Sequence, residues 1–189
     1  MRKISWNLYL TTFIITIVIF LIGFYVGSIF ENKAKADISR KIIDINKENT
    51  LSSLFYLTHS NKAYCPLYTD LLELDYNNID KIGKELTYLE EIKGERDIEL
   101  KKSYFIFELK TMLLTLEVNK ICNSNMHVIL YIYPTKCGSL CEEYEEKLKK
   151  KHDQNYKIFS FEDGIDSSVV TSLKELYNIN KTPYIVYVN

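Results

Sequence analysis

The sequence predicts a membrane-anchored α/β protein in which a transmembrane helix and a helical hairpin or bundle precede a small sheet with flanking helices. Three observations predict it. An uncharged run of 27 residues, Ile4 to Phe30, lies near the start of the chain. Residues 31–125 then carry apolar positions mostly at helical spacing. From residue 126 the pattern changes to β-rich runs alternating with amphipathic segments, in the order strand, helix, strand, helix, strand, as in the α/β class. The segments are therefore 1–30, tail and membrane helix, 31–125, helical spacer, and 126–189, α/β domain.

Composition narrows the function classes. The 189 residues hold 24 Lys plus Arg against 25 Asp plus Glu, a net charge of -1, with 47% hydrophobic residues. That is too apolar for a disordered chain. Near-neutral charge without a basic block argues against nucleic acid as a partner. Six Gly and three Pro exclude fibrous and low-complexity architectures. The 15 Tyr and the scarcity of Ala read as a base-composition signature of the genome.

At about 1.5 Å per residue the uncharged run makes roughly 40 Å of helix, enough to cross a hydrocarbon core of about 30 Å. Trp6, Tyr9 and Tyr25 suit interfacial positions. The run is too long for a signal-peptide core, and the residues before Ala36 are charged, so an anchor retained in the bilayer is expected. Flanking charges (Arg2 and Lys3 against Lys33, Lys35, Arg40, Lys41 and Lys47) favour a cytoplasmic C-terminal domain. The cysteines favour the extracytoplasmic face, which is the expectation adopted. Gly23 and Gly27 form a GxxxG that lets two membrane helices approach closely, a candidate homodimer face.

In the spacer, Ile38, Ile42, Ile45, Leu54 and Leu57 suggest helix over 37–59. A turn follows at Ser60 to Lys62, and Pro66 fits the first turn of a new helix. Ile79, Ile82, Leu86, Leu89 and Ile92 mark an amphipathic helix ended by Gly94. The segment from Asp97 to Ile121 is apolar nearly all round and should be buried on more than one side. Within it Glu108 reads as an exposed position, with a buried proton acceptor as the other reading.

His127 to Tyr133, stopped by Pro134, reads as a buried central strand. Cys141 to His152 follows as a helix with Glu early and Lys late, matching the macrodipole and placing its N-terminus near Cys137. Tyr156 to Phe161 is a strand, Ser167 to Asn178 a helix, and Tyr184 to Val188 a last strand after Thr182 and Pro183.

The chemistry rests on four cysteines. Cys137 and Cys141 sit where the central strand hands over to a helix. A thiol there meets unpaired N–H groups and the positive dipole end, which favour the thiolate, and Lys136 adds positive charge. Thiolate is the attacking species in disulfide exchange, and a second thiol one turn away resolves the mixed disulfide. Glu142 and Glu143 oppose thiolate formation. Cys65 and Cys122 flank the helical part and suit either a structural disulfide or two free core thiols.

These residues resemble the thioredoxin-like superfamily, whose core places a Cys-x-x-Cys pair after a central strand and a cis-proline opposite it. The resemblance covers 126–189. It implies that Cys137 is the nucleophile and Cys141 the resolving cysteine. It further implies that Pro183, preceded by Thr182, is the cis-proline shaping the substrate groove. Three residues separate the pair here instead of two, and Lys136 replaces the usual aromatic residue. No counterpart of the family's final strand and helix follows before Asn189.

The resemblance makes thiol–disulfide exchange on exported proteins the expected function, with protein thiols or disulfides as partners besides the bilayer and no cofactor. A non-catalytic interaction module is the alternative. A copper carrier of the Sco type is a third reading, since soft thiolates with one imidazole suit copper. It is disfavoured because His59, His127 and His152 all lie away from the position such a ligand would take, so no metal is expected.

Overall fold

The computed structural model describes residues 9–26, 40, 61–152 and 156–188. The expected helix over 37–59, except residue 40, lies outside the described residues, as do Gly27 and His59. The chain divides into two units, 1–41 and 42–189, so the expected boundary at residues 125 and 126 falls inside the second.

In the first unit, helix α1 (Tyr9–Val26) carries no charge and is long and apolar enough to cross a membrane. Its side chains are all exposed. The hydroxyl of Thr16 donates to the Thr12 carbonyl at 2.9 Å, so that polar group is satisfied within the helix.

The second unit begins with a 3₁₀ turn, Lys62–Tyr64, capped by the Asn61 side chain, and runs directly into α2 (Cys65–Thr87) with Pro66 in its first turn. The helix then loosens into a π turn, Tyr88–Ile92, closed by the Lys93 amide on the Tyr88 carbonyl (3.3 Å). This wider turn explains one departure from expectation. Three residues span about 300° in an α-helix but less in a π turn, so Leu89 stays buried while Ile92 rotates out to 68% exposure. Gly94, at φ +67°, ends the segment.

Helix α3 (Ile98–Cys122) starts where the Asp97 carboxylate accepts the Leu100 amide (3.0 Å) and ends at left-handed Asn123. It is buried on several sides, as its apolar girth predicts: Phe105, Phe107 and Val118 are at most 1% exposed. Asn119 ties the turn that follows, accepting the Met126 amide (3.2 Å) and donating to the Met126 carbonyl (2.7 Å). That fixes where the first strand begins.

The sheet has three strands, β1 (His127–Pro134), β2 (Tyr156–Asp163) and β3 (Tyr184–Val188), in the order β2-β1-β3. β1 runs parallel to β2 and antiparallel to β3. Helix α4 (Ser139–His152) joins β1 to β2, and α5 (Ser168–Leu176) precedes β3. Alternation along β1 divides its contacts between two faces. Ile129 and Tyr131 pack with Leu148 of α4. On the opposite face of β2, Phe161 packs on Phe105 of α3 and Phe159 on Tyr76 of α2 (ring centroids 5.4 and 6.4 Å apart).

A disulfide joins Cys65 to Cys122, linking the start of α2 to the end of α3 across a separation of 57 residues. It abuts an apolar cluster of Tyr68, Leu72 and Val118. Loop-closure entropy for this separation gives about 4 kcal/mol of stabilisation. Replacing both cysteines with Ser should therefore lower the unfolding free energy by about that amount, read from urea titrations of the detergent-solubilised chain. A loss below about 1 kcal/mol would contradict this account of the bond.

Candidate functional site

Strand register brings the chemistry-bearing residues to one end of the sheet. Pro134, the last residue of β1, lies opposite Asp163, the last of β2, and Ile132 lies opposite Tyr184, the first of β3. The segment after β1 holds Cys137, and Thr182-Pro183 immediately precedes β3, so both lie at the carboxyl end of β1. The peptide bond between Thr182 and Pro183 is cis, and Pro183 is buried.

Cys137 and Cys141 are joined by a disulfide with Cα atoms 5.5 Å apart. Helix α4 starts at Ser139, so Cys137 stands just outside it and Cys141 occupies its first turn, with its amide donating to the Gly138 carbonyl at 3.0 Å. The two sulfur-bearing residues differ in access. Cys137 is half-buried, whereas Cys141 is buried at 6% exposure. Glu143, one of two carboxylates beside the pair, is bound to Lys147 at 2.7 Å.

Two residues at this site escaped the sequence reading. The hydroxyl of Tyr131 donates to Cys141 Sγ at 3.3 Å. Its ring stacks with those of Tyr133 and Tyr144. Burial pushes the phenol up to about 12, aided by Glu145 and Tyr144, so it keeps its proton wherever thiols titrate. The available signal was a tyrosine on the strand face that receives the following helix. The second residue is Asp163, whose carboxylate accepts from the Thr182 hydroxyl (3.1 Å) and from Lys174 of α5 (2.9 Å to both oxygens). Asp163 thereby ties the residue before Pro183 to the end of β2. Gly164 turns the chain there at φ +154°, where an added Cβ would lie 2.0 Å from Thr135 Oγ1.

Buried charge lies at the same end of β2. Lys101, 7% exposed, pairs with Glu90 (2.7 Å) and Glu162 (2.6 Å), and Glu162 also pairs with Arg96. Burial alone would raise the Glu162 carboxyl. Hydrogen bonds from Lys101 and Thr135, with the charges of Lys101 and Arg96, outweigh burial and hold it below its ordinary value.

Glu108 is a correction. It was expected on an exposed face, yet the structure buries it at 2% exposure. It meets β2 at the unpaired edge, where its Oε1 accepts the Ser160 amide (3.4 Å) and the Tyr104 hydroxyl (3.2 Å), so the carboxyl satisfies a strand edge that α3 covers. Oε2 has no hydrogen-bond partner. Glu108 and Tyr104 line a cavity of about 640 Å³ bordered by Lys84, Lys149, His152 and Lys157.

His127 stacks on Tyr156 (4.8 Å) at the opposite end of the sheet, and His152 ends α4. Among the described residues no group of three or more His, Cys, Asp or Glu is arranged to hold a metal. No protein-family model, no curated protein and no solved structure matches the chain.

Burial drives the Glu108 carboxyl up to about 8, against lowering by the Ser160 amide, the Tyr104 hydroxyl and Lys101. The unfolded chain gives up this proton near pH 4.5 and the fold near 8. Stability therefore falls as pH rises through that window and is level, for this group, above it. The loss is on the order of a few kcal/mol. Urea midpoints measured from pH 4 to 9 should show this decline in the wild-type chain relative to Glu108→Gln, and parallel profiles would contradict it.

Proposed function

We propose that this chain is a membrane-anchored thiol–disulfide oxidoreductase with a thioredoxin-like C-terminal region acting on exported proteins. Cys137 attacks, Cys141 resolves, and Thr182 and Pro183 shape the groove that receives the substrate. The observation that carries this reading is the unequal access of the two bonded cysteines: the half-buried one precedes α4 and the buried one lies inside its first turn. Exchange needs one sulfur that an incoming thiolate reaches and one that leaves toward the protein. The cis bond before β3, at the same end of the sheet, is the second support.

The extracytoplasmic side is favoured because disulfides persist in oxidising compartments, and the fold has a second one at Cys65 and Cys122. Helix α1 supplies the anchor. Gly23 and Gly27 remain a candidate dimer face.

A docking module for a partner protein is the second reading, favoured by Tyr184 and Tyr187 on edge strand β3, which are 47% and 57% exposed. Two variants separate the readings. The wild-type chain should catalyse insulin reduction by a dithiol, and Cys137→Ser should lower that rate at least a hundredfold. Cys141→Ala should accumulate mixed disulfides through Cys137 in membranes. A wild-type chain with no activity and no trapped adducts, yet with a partner held equally by Cys137→Ser, would establish the module instead.

A further inference from the structure

Resting on the exchange reading, we infer that Tyr131 is the positioning residue that selects Cys141 as the leaving sulfur, by donating its hydroxyl hydrogen bond to the charge that forms there.

The geometry is specific. Tyr131 is 4% exposed and Cys141 6%, so water competes little for either group. The hydroxyl stands 3.3 Å from Cys141 Sγ. Its aim is fixed by the strand below and by the rings of Tyr133 and Tyr144, with centroids 5.5 and 6.2 Å away.

A thiolate of a protein dithiol attacks Cys137 Sγ, a sulfur–sulfur bond forms between them, and the Cys137–Cys141 bond breaks. Its electron pair remains on Cys141, which becomes a thiolate. The second thiolate of the partner then attacks the mixed disulfide at the partner's own sulfur and releases Cys137. Two electrons pass from the dithiol, which is oxidised, to the pair, which is reduced. The two thiol protons go to solvent or to the new thiolates.

A disulfide sulfur is a weak acceptor and a thiolate a strong one. The Tyr131 hydrogen bond therefore strengthens as the bond to Cys137 breaks. It lowers the basicity of the leaving thiolate, which speeds departure, and it stabilises the reduced state relative to the disulfide. Attack at Cys141 would instead expel Cys137, which the Tyr131 hydroxyl does not serve.

Tyr131→Phe tests this on the full chain in detergent, because it removes one oxygen and keeps the stacked ring. Its redox equilibrium against a dithiothreitol buffer should move about tenfold toward the disulfide, about 30 mV more negative at 29.6 mV per tenfold for a two-electron couple. The rate at which glutathione opens the disulfide should fall by a similar factor, and the pH dependence of Cys141 alkylation in the reduced chain should move upward. Tyr144→Phe, which keeps its ring and has no bond to sulfur, should change none of these. Tyr131→Leu removes ring and hydroxyl together. A shift with Leu but none with Phe would assign the effect to packing and overturn the inference, as would an unchanged potential and alkylation profile in Tyr131→Phe. These readouts do not use substrate turnover, so an inactive wild-type chain would refute the exchange reading and leave this comparison intact.

Discussion

Both hydrogen-bonding edges and both faces of β1 are occupied, and this constraint organises the second unit. β2 and β3 take its edges, with α4 on one face and the helices α2 and α3 reaching the sheet from the other. Val128, Ile129, Leu130 and Ile132 are at most 1% exposed. A strand enclosed in this way leaves only its two ends open, and the loop after β1 and the segment before β3 both reach its carboxyl end. Cys137, Asp163 and Thr182 converge there because register puts the end of β2 and the start of β3 beside it.

Buried polar groups tie the helical segment to the sheet. Lys101 and Glu162 are the buried pair of the cluster with Glu90 and Arg96, at 7% and 4% side-chain exposure, and breaking a buried pair by removing one partner typically costs about 3–5 kcal/mol. The cluster holds the π turn and the segment before α3 against the end of β2. Glu108 acts at the edge of the same strand through Ser160. The helical segment and the sheet therefore share one interior.

Much of this was legible locally. The three strands, the helix beginning near Asp97 and the stop at Gly94 follow from periodicity and terminal chemistry, which act over a few residues. The course of α3 as a helix buried on several sides followed from its apolar girth. What was not legible depends on distant partners. Ile92 leaves the apolar face because a π turn intervenes, and nothing in a periodic pattern announces one. Glu108 and Lys101 look like solvent-facing charges until Ser160 and Glu162, more than fifty residues onward, are brought to them. At the site, the cysteine pair and Pro183 were legible from spacing and resemblance. Tyr131 was not, because its hydrogen bond to Cys141 forms only once α4 folds back over the strand that precedes it.

The unequal access of Cys137 and Cys141 is the claim on which the functional account stands, and partial alkylation of the natively folded, reduced chain tests it most directly. Peptide mapping after a brief exposure to iodoacetamide should find Cys137 modified first, with Cys141 reacting more slowly and only on longer exposure. Equal labelling of the two, or earlier labelling of Cys141, would contradict the account.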